Sequence, residues 1–263
     1  MIVSTVPVLM YHHINPHHGD IVTVTPRIFE EQMRYLCESG YKTLTVSELL
    51  SYARGEYCPK EKAVVVTFDD GWLDNYIYAF RVLEEYAIRA TVFIVTDRTE
   101  GASKETGQTV ASVPNHRESK ALIRNGEEEK VVLNWDLVRE MAESRLVEFY
   151  SHTKSHKKCD SLSEDELFEE LGESKRVMEE RLGRPCPYLC WPYGKYNDRA
   201  VEIARELGYE ALFTTHHGVV KSGSDPFAIK RIVVKDKGEW FKRRMAVYTN
   251  LILSELYLAI KKK

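Results

Sequence analysis

The sequence predicts an α/β protein whose parallel strands form a closed (β/α) barrel. Short runs of apolar and β-branched residues alternate with helical segments along most of the chain, and this alternation is typical of a parallel sheet. Polar side chains suited to catalysis directly follow several of the strands. In a closed barrel such strand ends meet on one face, whereas a doubly wound open sheet would spread them too widely for one site.

Composition and length favour one globular domain over residues 1–263. Hydrophobic residues make up 43% of the chain and charged residues 29%, values that do not indicate disorder and are sufficient for a sizeable core. The length lies in the range that a single barrel uses. The formal net charge of −3 gives no reason to expect a nucleic-acid partner.

Cysteine usage and the N-terminal segment bear on the compartment. The chain has five cysteines and no CxxC pair, which argues against a zinc ribbon and a complete disulfide framework, so we expect reduced thiols. The first residues show no basic region, long apolar stretch or cleavage site. We expect a cytoplasmic or peripheral membrane protein, or an extracytoplasmic one if a leader was removed.

The elements follow in a regular series. A strand at residues 6–11 leads into His12, and Thr25 before Pro26 marks the start of a helix that runs to Gly40. Further strands are expected at residues 41–46, 63–66, 90–95, 146–150, 188–191, 210–214 and 229–234. Further helices are expected from residue 47 and at residues 75–86, 135–142, 163–182 and 198–207, the fourth of them opened by a capping box.

Two segments depart from this alternation. Residues 97–129 are polar and lack a period, which predicts a surface insertion or a mobile loop. Residues 239–260 predict a C-terminal helix with a broad apolar face, flanked by Lys242-Arg243-Arg244 and by lysines 261–263. The helix either lies on a membrane surface or packs on the barrel as its last helix.

The strand at residues 63–66 runs into a turn with two adjacent acids, Asp69 and Asp70, followed by Gly71. Adjacent carboxylates repel each other in a buried site unless a cation or a shared proton compensates. We interpret the pair as part of a metal site. The alternative is a solvated Asp-Asp-Gly turn.

Two histidines at another strand end support the metal interpretation. His152 and His156 are four residues apart, so on a helical turn both imidazoles would face the same way. Together with one carboxylate they form a set that binds zinc or a similar divalent ion and leaves positions open for water and substrate. His12 and Tyr193 also follow predicted strands, so one pocket can hold all of these residues.

Three motifs carry a resemblance to a known family. Thr-Phe-Asp-Asp-Gly at residues 67–71, Ser-His-Thr-Lys-Ser-His at 151–156 and Trp-Pro-Tyr-Gly at 191–194 resemble the first three motifs of polysaccharide deacetylases with the NodB homology domain, carbohydrate esterase family four. The resemblance implies a distorted (β/α) barrel of the NodB type. It also implies a metal-dependent hydrolase that converts the N-acetyl group of an N-acetylated sugar or polysaccharide to free amine and acetate.

The resemblance also implies roles for individual residues. Asp69 would be the general base, and Asp70, His152 and His156 would bind one divalent ion, with zinc expected and nickel, cobalt, manganese or iron as alternatives. The backbone N–H of Tyr193 would hold the oxyanion. Independently of the resemblance, the rings of Trp72, Trp191 and Tyr193 could stack on the apolar faces of a sugar, although packing beneath the barrel mouth is the alternative for such aromatic side chains.

The chain opening resembles a circularly permuted subgroup, the poly-N-acetylglucosamine deacetylases, through the Tyr-His-His run that begins at residue 11. In that subgroup the general acid lies near the N-terminus, which implies this role for His12. The usual late Leu-x-x-His motif is not evident, and His216 and His217 are the alternative positions. Cys190 stands where many members have the arginine that orients the base. Arg231 could supply that charge, or it could pair with surface acids.

Two functions of other classes remain open. One is an intracellular amidase or imidase that acts on a non-sugar substrate, and the other is a non-catalytic carbohydrate-binding module. The expected partner is an N-acetylated glycan or a lipid-linked or other precursor sugar.

Overall fold

Seven parallel strands close into a barrel in the computed structural model, which describes residues 5–104 and 113–261. The strands are β1 Val8–Tyr11, β2 His13–Ile14, β3 Thr23–Val24, β4 Lys42–Thr43, β5 Ala63–Asp70, β6 Ala90–Ile94, β7 Val147–Ser151, β8 Tyr188–Cys190, β9 Ala211–His217 and β10 Ile229–Val233. The order around the barrel is β1, β10, β9, β8, β7, β6 and β5, and β5 pairs with β1 to close it. The predicted barrel with parallel strands is confirmed.

Helices connect these strands. They are α1 Pro26–Glu38, α2 Val46–Ala53, α3 Arg81–Glu85, α4 Thr96–Ala102, α5 His116–Arg124, α6 Trp135–Glu143, α7 Glu164–Leu182, α8 Asp198–Glu206, α9 Gly238–Tyr248 and α10 Leu251–Lys261. The strand expected at residues 41–46 is only the two-residue β4, because Thr45 and Glu48 form a capping box that starts α2. Thr25 does not cap α1 through its side chain, and its hydroxyl instead donates to Asp236 at 2.8 Å.

Strand β5 is the central support of the site. All eight of its residues are buried, which explains why it reads as a nearly continuous apolar run. Phe68 is 1% exposed and packs against Tyr11 and Phe29. Truncating such a buried ring to alanine costs about 3–5 kcal/mol, so the strand that positions Asp69 and Asp70 is held firmly.

The register of the sheet brings distant motifs to one level. Asp70 at the end of β5 pairs with Ile94 of β6, and Ile94 pairs with Ser151 of β7. His152 follows Ser151 directly, so it projects from the same edge of the barrel as Asp70. Parallel strands with aligned carboxyl ends therefore explain how residues 82 positions apart share a site.

The chain turns sharply where β5 ends. Asp70 has a φ of 73° and Gly71 a φ of 69°, a left-handed conformation that costs energy for residues other than glycine. A Cβ on Gly71 would lie 2.7 Å from Cγ2 of Ile94. The Asp-Asp-Gly sequence thus reflects the close packing of this turn on β6.

Residues 97–129 contain more structure than the sequence indicated. Instead of a featureless insertion, the described part contains most of α4, all of α5 and a 3₁₀ turn at Glu128–Lys130. Residues 105–112 of this segment lie outside the described residues. Asn115 and Glu118 form a capping box at the start of α5, and α5 forms one wall of the cavity described below.

The expected single C-terminal helix is divided into two. Phe241, Met245 and Tyr248 of α9 are buried, so this helix packs on the barrel. After a break at residues 249–250, α10 leaves large apolar side chains exposed, which are Ile252, Leu253, Leu256 and Ile260. Within residues 5–104 and 113–261, no helix is long and apolar enough to cross a membrane.

Candidate metal centre and active site

Asp70, His152 and His156 converge at the carboxyl end of the barrel. One ligand atom from each lies within 4.8 Å of the others. Oδ1 of Asp70 is 3.0 Å from Nε2 of His156 and 3.9 Å from Nε2 of His152. The three residues predicted as metal ligands are therefore close enough to share one ion.

The tautomer of His152 suits a metal ligand. Its Nδ1 lies 2.7 Å from the carbonyl oxygen of Cys190, and because a carbonyl only accepts hydrogen bonds, Nδ1 carries the proton and Nε2 keeps its lone pair. Burial lowers the pKa of His152 to about 4, against the opposing effect of Asp69. The imidazole is thus neutral near pH 7, which is the form that binds metals.

His156 reaches the site from a loop, not from the helical turn that the spacing suggested. Both His156 and Thr153 adopt a left-handed backbone conformation, with φ values of 66° and 67°. Buried Glu170 of α7 holds the loop, since its carboxylate accepts from the hydroxyl of Thr153 at 2.9 Å and from the N–H and hydroxyl of Ser155 at 2.6 and 2.8 Å. Glu170 was not singled out from the sequence, where it is one of many acids in α7.

The donor set fits a divalent first-row metal. Two imidazole nitrogens and one carboxylate leave coordination positions free, as catalytic zinc sites do. Burial raises the pKa of Asp70, but His156 and Arg98 more than offset this and hold it well below its ordinary value. Nε1 of Trp72 donates to the other oxygen of Asp70 at 3.1 Å and orients the carboxylate.

Asp69 is held by a buried arginine from the opposite end of the chain. Nη1 and Nη2 of Arg231 donate to the two oxygens of Asp69 at 2.7 and 2.8 Å. Arg231 is 0% exposed, so it does not pair with surface acids. Burial raises the pKa of Asp69, but Arg231 outweighs this and lowers it to about 2. Asp69 is therefore ionised, and both of its oxygens are engaged by Arg231.

Cys190 leaves room for this arrangement. Its Sγ lies 3.0 Å from Nη2 of Arg231 and 3.7 Å from the carboxylate of Asp69. A larger side chain here would collide with the guanidinium. Arg231 thus occupies the space beside the base that the resemblance assigned to an arginine at position 190.

His12 and His13 point to different surroundings. Nε2 of His12 lies 3.8 Å from Oδ2 of Asp69, and the side chain borders the cavity above the site. Burial lowers the pKa of His12, against the opposing effect of Asp69. His13 is buried, and its Nδ1 lies 2.6 Å from Asp74.

A cavity of about 200 Å³ opens over these groups. Its walls contain the three candidate ligands, Asp69, His12 and Tyr193, together with three residues from the segment once expected to be a surface insertion. These three are Arg98, His116 and Lys120. The capping box of Asn115 and Glu118, which opens the helix at His116, is the sequence signal that could have identified the helix carrying His116 and Lys120.

Comparison with known families agrees with this geometry. The sequence model of the family described as polysaccharide deacetylase matches residues 56–212, more than half of the chain, and the match includes the Asp69, Asp70, His152 and His156 positions. The chain belongs to the polysaccharide deacetylase family. It is accordingly a hydrolase of the class that acts on carbon–nitrogen bonds other than peptide bonds.

Individual relatives cover most of the chain. The protein YxkH of Bacillus subtilis, itself named only by its resemblance to polysaccharide deacetylases, is 28% identical over 88% of this chain and 72% of its own length. A poly-beta-1,6-N-acetyl-D-glucosamine N-deacetylase of Escherichia coli is 25% identical over 86% of this chain, which spans only 36% of that protein. The Streptococcus pyogenes deacetylase PplD, solved with acetate, shares the fold with a TM-score of 0.77 at 24% identity, covering 92% of this chain and 99% of PplD.

The two aromatic residues of the third deacetylase motif differ in accessibility. Tyr193 is 51% exposed, has a φ of 57° and packs edge-on against His156, with ring centroids 4.5 Å apart. Trp191 is fully buried and stacks on Tyr196 at 5.3 Å. The expectation that Trp191 contacts a sugar is therefore wrong, because no face of its ring is accessible. Trp191 instead packs in the protein interior beneath the third motif.

The alternative positions for the general acid lie away from the cavity. Nε2 of His217 is 3.2 Å from the hydroxyl of Tyr248, and His216 is exposed with its ring centroid 6.1 Å from that of Tyr196. Neither is among the described residues that line the cavity, whereas Thr215 just before them is. The geometry favours His12 over both.

Proposed function

We propose that this chain is a metal-dependent deacetylase that hydrolyses the N-acetyl group of an N-acetylated sugar or polysaccharide to free amine and acetate. The observation that carries the proposal is the juxtaposition of an Asp-His-His ligand set with an ionised, unliganded carboxylate at the floor of one cavity. A divalent ion held by Asp70, His152 and His156 would lower the pKa of water and polarise an amide carbonyl. We expect zinc, with nickel, cobalt, manganese or iron as alternatives.

Asp69 is the proposed general base. Its carboxylate is ionised, and both of its oxygens are oriented by Arg231. A carboxylate with a pKa of about 2 is a weak base, so it can take a proton only from water that is already acidified. The low pKa also keeps Asp69 ionised near pH 7 before it takes that proton.

His12 is the proposed general acid. An amine leaves readily only when it is protonated, and His12 borders the cavity on the side of Asp69. The backbone N–H of Tyr193 is the proposed donor to the oxyanion, in line with the family motif. Its left-handed φ supports a special role, because strained backbone in a non-glycine residue clusters at functional sites.

The substrate we propose is an N-acetylglucosamine polymer or a lipid-linked or other precursor sugar. The test measures acetate release from β-1,6-linked and β-1,4-linked N-acetylglucosamine oligomers and from a nucleotide-linked and a lipid-linked N-acetyl sugar. In parallel it measures amine release from simple amides and ring opening of cyclic imides. Acetate from any of the N-acetyl sugars supports the proposal. Turnover confined to the amides or imides would favour the amidase, and no turnover with retained glycan binding would favour the binding module.

We also propose peripheral contact of α10 with an anionic membrane surface. The observation that favours it is the exposed apolar set of Ile252, Leu253, Leu256 and Ile260, next to the basic end of the chain. Because α9 packs on the barrel, the test variant is Ile252→Ser/Leu256→Ser and not a deletion of both helices. Co-sedimentation with anionic vesicles that is unchanged in this variant would contradict the contact, and vesicles of neutral lipid provide the control.

A further inference from the structure

A chain of three side chains outside the proposed machinery leads from the barrel interior to the cavity. Oδ2 of Asp74 lies 2.6 Å from Nδ1 of His13, and Nε2 of His13 lies 3.0 Å from Nδ1 of His116. Asp74 and His13 are 2% and 1% exposed. The ring of His13 stacks on Trp72 with centroids 4.2 Å apart, so its position is fixed by packing as well as by hydrogen bonds.

Asp74 determines which nitrogen of His13 carries a proton. Its carboxylate accepts from the N–H of Ile14 at 3.3 Å, from the side-chain amides of Asn15 and Asn75 at 3.2 and 3.0 Å, and from Nδ1 of His13. The N–H groups of Ile14, Asn15 and Asn75 can only donate and already engage both oxygens, so the carboxylate acts as the acceptor in this cluster. Nδ1–H of His13 therefore donates to Asp74, and Nε2 of His13 is left to face His116.

His116 is held in the cavity wall by this chain. It is the first residue of α5, after the N-cap Asn115, and the preceding Pro114 is tied to the same cluster because its carbonyl accepts from Asn15 at 2.8 Å. Since Nδ1 of His116 points inward to His13, Nε2 on the far side of the ring points away from it. Nε2 makes no hydrogen bond to a described residue, and the side chain lines the cavity that contains Asp70 and His12.

The chain can present either a donor or an acceptor at that position. If His13 is neutral, its Nε2 accepts from Nδ1–H of His116, and Nε2 of His116 offers a lone pair. If His13 is an imidazolium beside Asp74, its Nε2–H donates to His116, and Nε2 of His116 carries the hydrogen. A sugar hydroxyl, which both donates and accepts, complements either arrangement.

We propose that His116 contacts the substrate, with Nε2 hydrogen-bonded to a hydroxyl of the sugar that carries the acetyl group, and that Asp74 and His13 are positioning residues that orient its ring. The inference rests on the proposed sugar deacetylase function and adds a specificity-determining contact to it. It assigns a function to a helix that the sequence indicated only as a polar insertion.

The test compares the kinetics of the metal-loaded full chain and its variants on an N-acetylglucosamine oligomer and on an activated aryl acetate, which has no sugar hydroxyl. His116→Ala should raise KM for the oligomer about tenfold, the effect of one lost hydrogen bond, while kcat and the aryl acetate rate change by less than about threefold. His116→Gln keeps an amide that donates and accepts, so it should restore part of the affinity. Arg117→Ala, an exposed neighbour on α5 that does not line the cavity, is the matched control and should behave as the wild type.

Positioning by His13 is tested by a double-mutant cycle. His13→Gln should also raise KM for the oligomer, and His13→Gln/His116→Ala should be no worse than His116→Ala alone, since residues acting as one unit are not additive. Unchanged oligomer KM in His116→Ala, equal losses on oligomer and aryl acetate, or additive effects would each overturn the inference. If the wild type deacetylates the oligomer and the His116 and His13 variants do so equally well, only the inference is overturned. If the wild type releases acetate from no N-acetyl sugar, the proposed function is overturned with it.

Discussion

The carboxylate of Asp69 and the guanidinium of Arg231 form a buried bidentate ion pair across 162 positions of sequence, with both N···O distances below 2.9 Å. Arg231 lies on β10, which pairs with β1, and β1 pairs with β5, the strand of Asp69. The closure of the barrel therefore brings the two charges together. A fork of two parallel bonds also fixes the rotation of the carboxylate, which a lysine could not do.

Removal of Arg231 should harm both stability and turnover. Arg231→Ala leaves a buried carboxylate unpaired, which costs about 3–5 kcal/mol of unfolding free energy. The loss of orientation of the proposed base should lower turnover about 10²-fold or more. Denaturant unfolding and acetate release measure the two effects. Arg54→Ala is the control, because Arg54 pairs with Glu210 on the surface at 3.8 Å and such pairs contribute about 0–1 kcal/mol. Equal destabilisation by the two variants would contradict this account.

The two adjacent aspartates should separate in their response to mutation. Asp70→Asn, His152→Ala and His156→Ala remove proposed ligands, so each should lose bound metal on dialysis, and chelation should abolish the activity of the wild type. Asp69→Asn should keep the metal and lose turnover. Elemental analysis with acetate release distinguishes these cases. Metal loss in Asp69→Asn matching that of Asp70→Asn would mean that the two roles are exchanged.

Glu170 should affect metal binding without being a ligand. Its carboxylate holds the loop that carries His156 through three hydrogen bonds, so Glu170→Ala should weaken metal affinity by about 10- to 100-fold, as the loss of an outer-shell partner does. Glu169→Ala is the matched control, because Glu169 is exposed and pairs only with Lys154 among the described residues. Metal titration of the two variants provides the measurement, and equal affinities would rule out the role given to Glu170.

Much of the site could be predicted because its parts are local in sequence. Asp69 and Asp70 end one strand and the two histidines follow another, and parallel strands bring their carboxyl ends together whatever the loops do. The path of the chain from His152 to His156 could not be predicted from spacing, because Glu170 in α7 overrides the tendency to form a helical turn.

Residues whose role depends on long-range packing were harder to assign. Trp191 lies in a motif next to the site, directly after β8, but its side chain is buried by packing against Tyr196 and the neighbouring elements. His116 lies in a polar segment with little periodicity, and its contact with His13 spans 103 positions. A sequence pattern cannot show such a contact, since nothing local to either residue requires it.

His116 should also make the stability of the folded protein sensitive to acid. Burial and the neighbouring His13 lower the pKa of His116 to about 4, while Lys120 acts in the same direction and Asp20 and Asp70 oppose it. Between pH 6.5 and 4 the unfolded chain therefore binds a proton at this site that the folded chain does not, so stability falls as the pH is lowered through this window. His116→Gln should show a shallower fall. Thermal melts of metal-free protein from pH 7 to 4 test this, and parallel curves for the two proteins would contradict it.

The role of His12 can be isolated through the leaving group. A general acid acts when the amine departs, whereas an aryl oxide leaves with little help. His12→Ala should therefore lower turnover of an N-acetyl sugar by about 10²- to 10⁴-fold and affect an activated aryl acetate far less. Metal content should not change, because His12 lies 3.8 Å from Asp69 and is not in the ligand set. Equal losses on both substrates, or loss of metal, would show that His12 is a ligand or a structural residue and that the proton comes from another group.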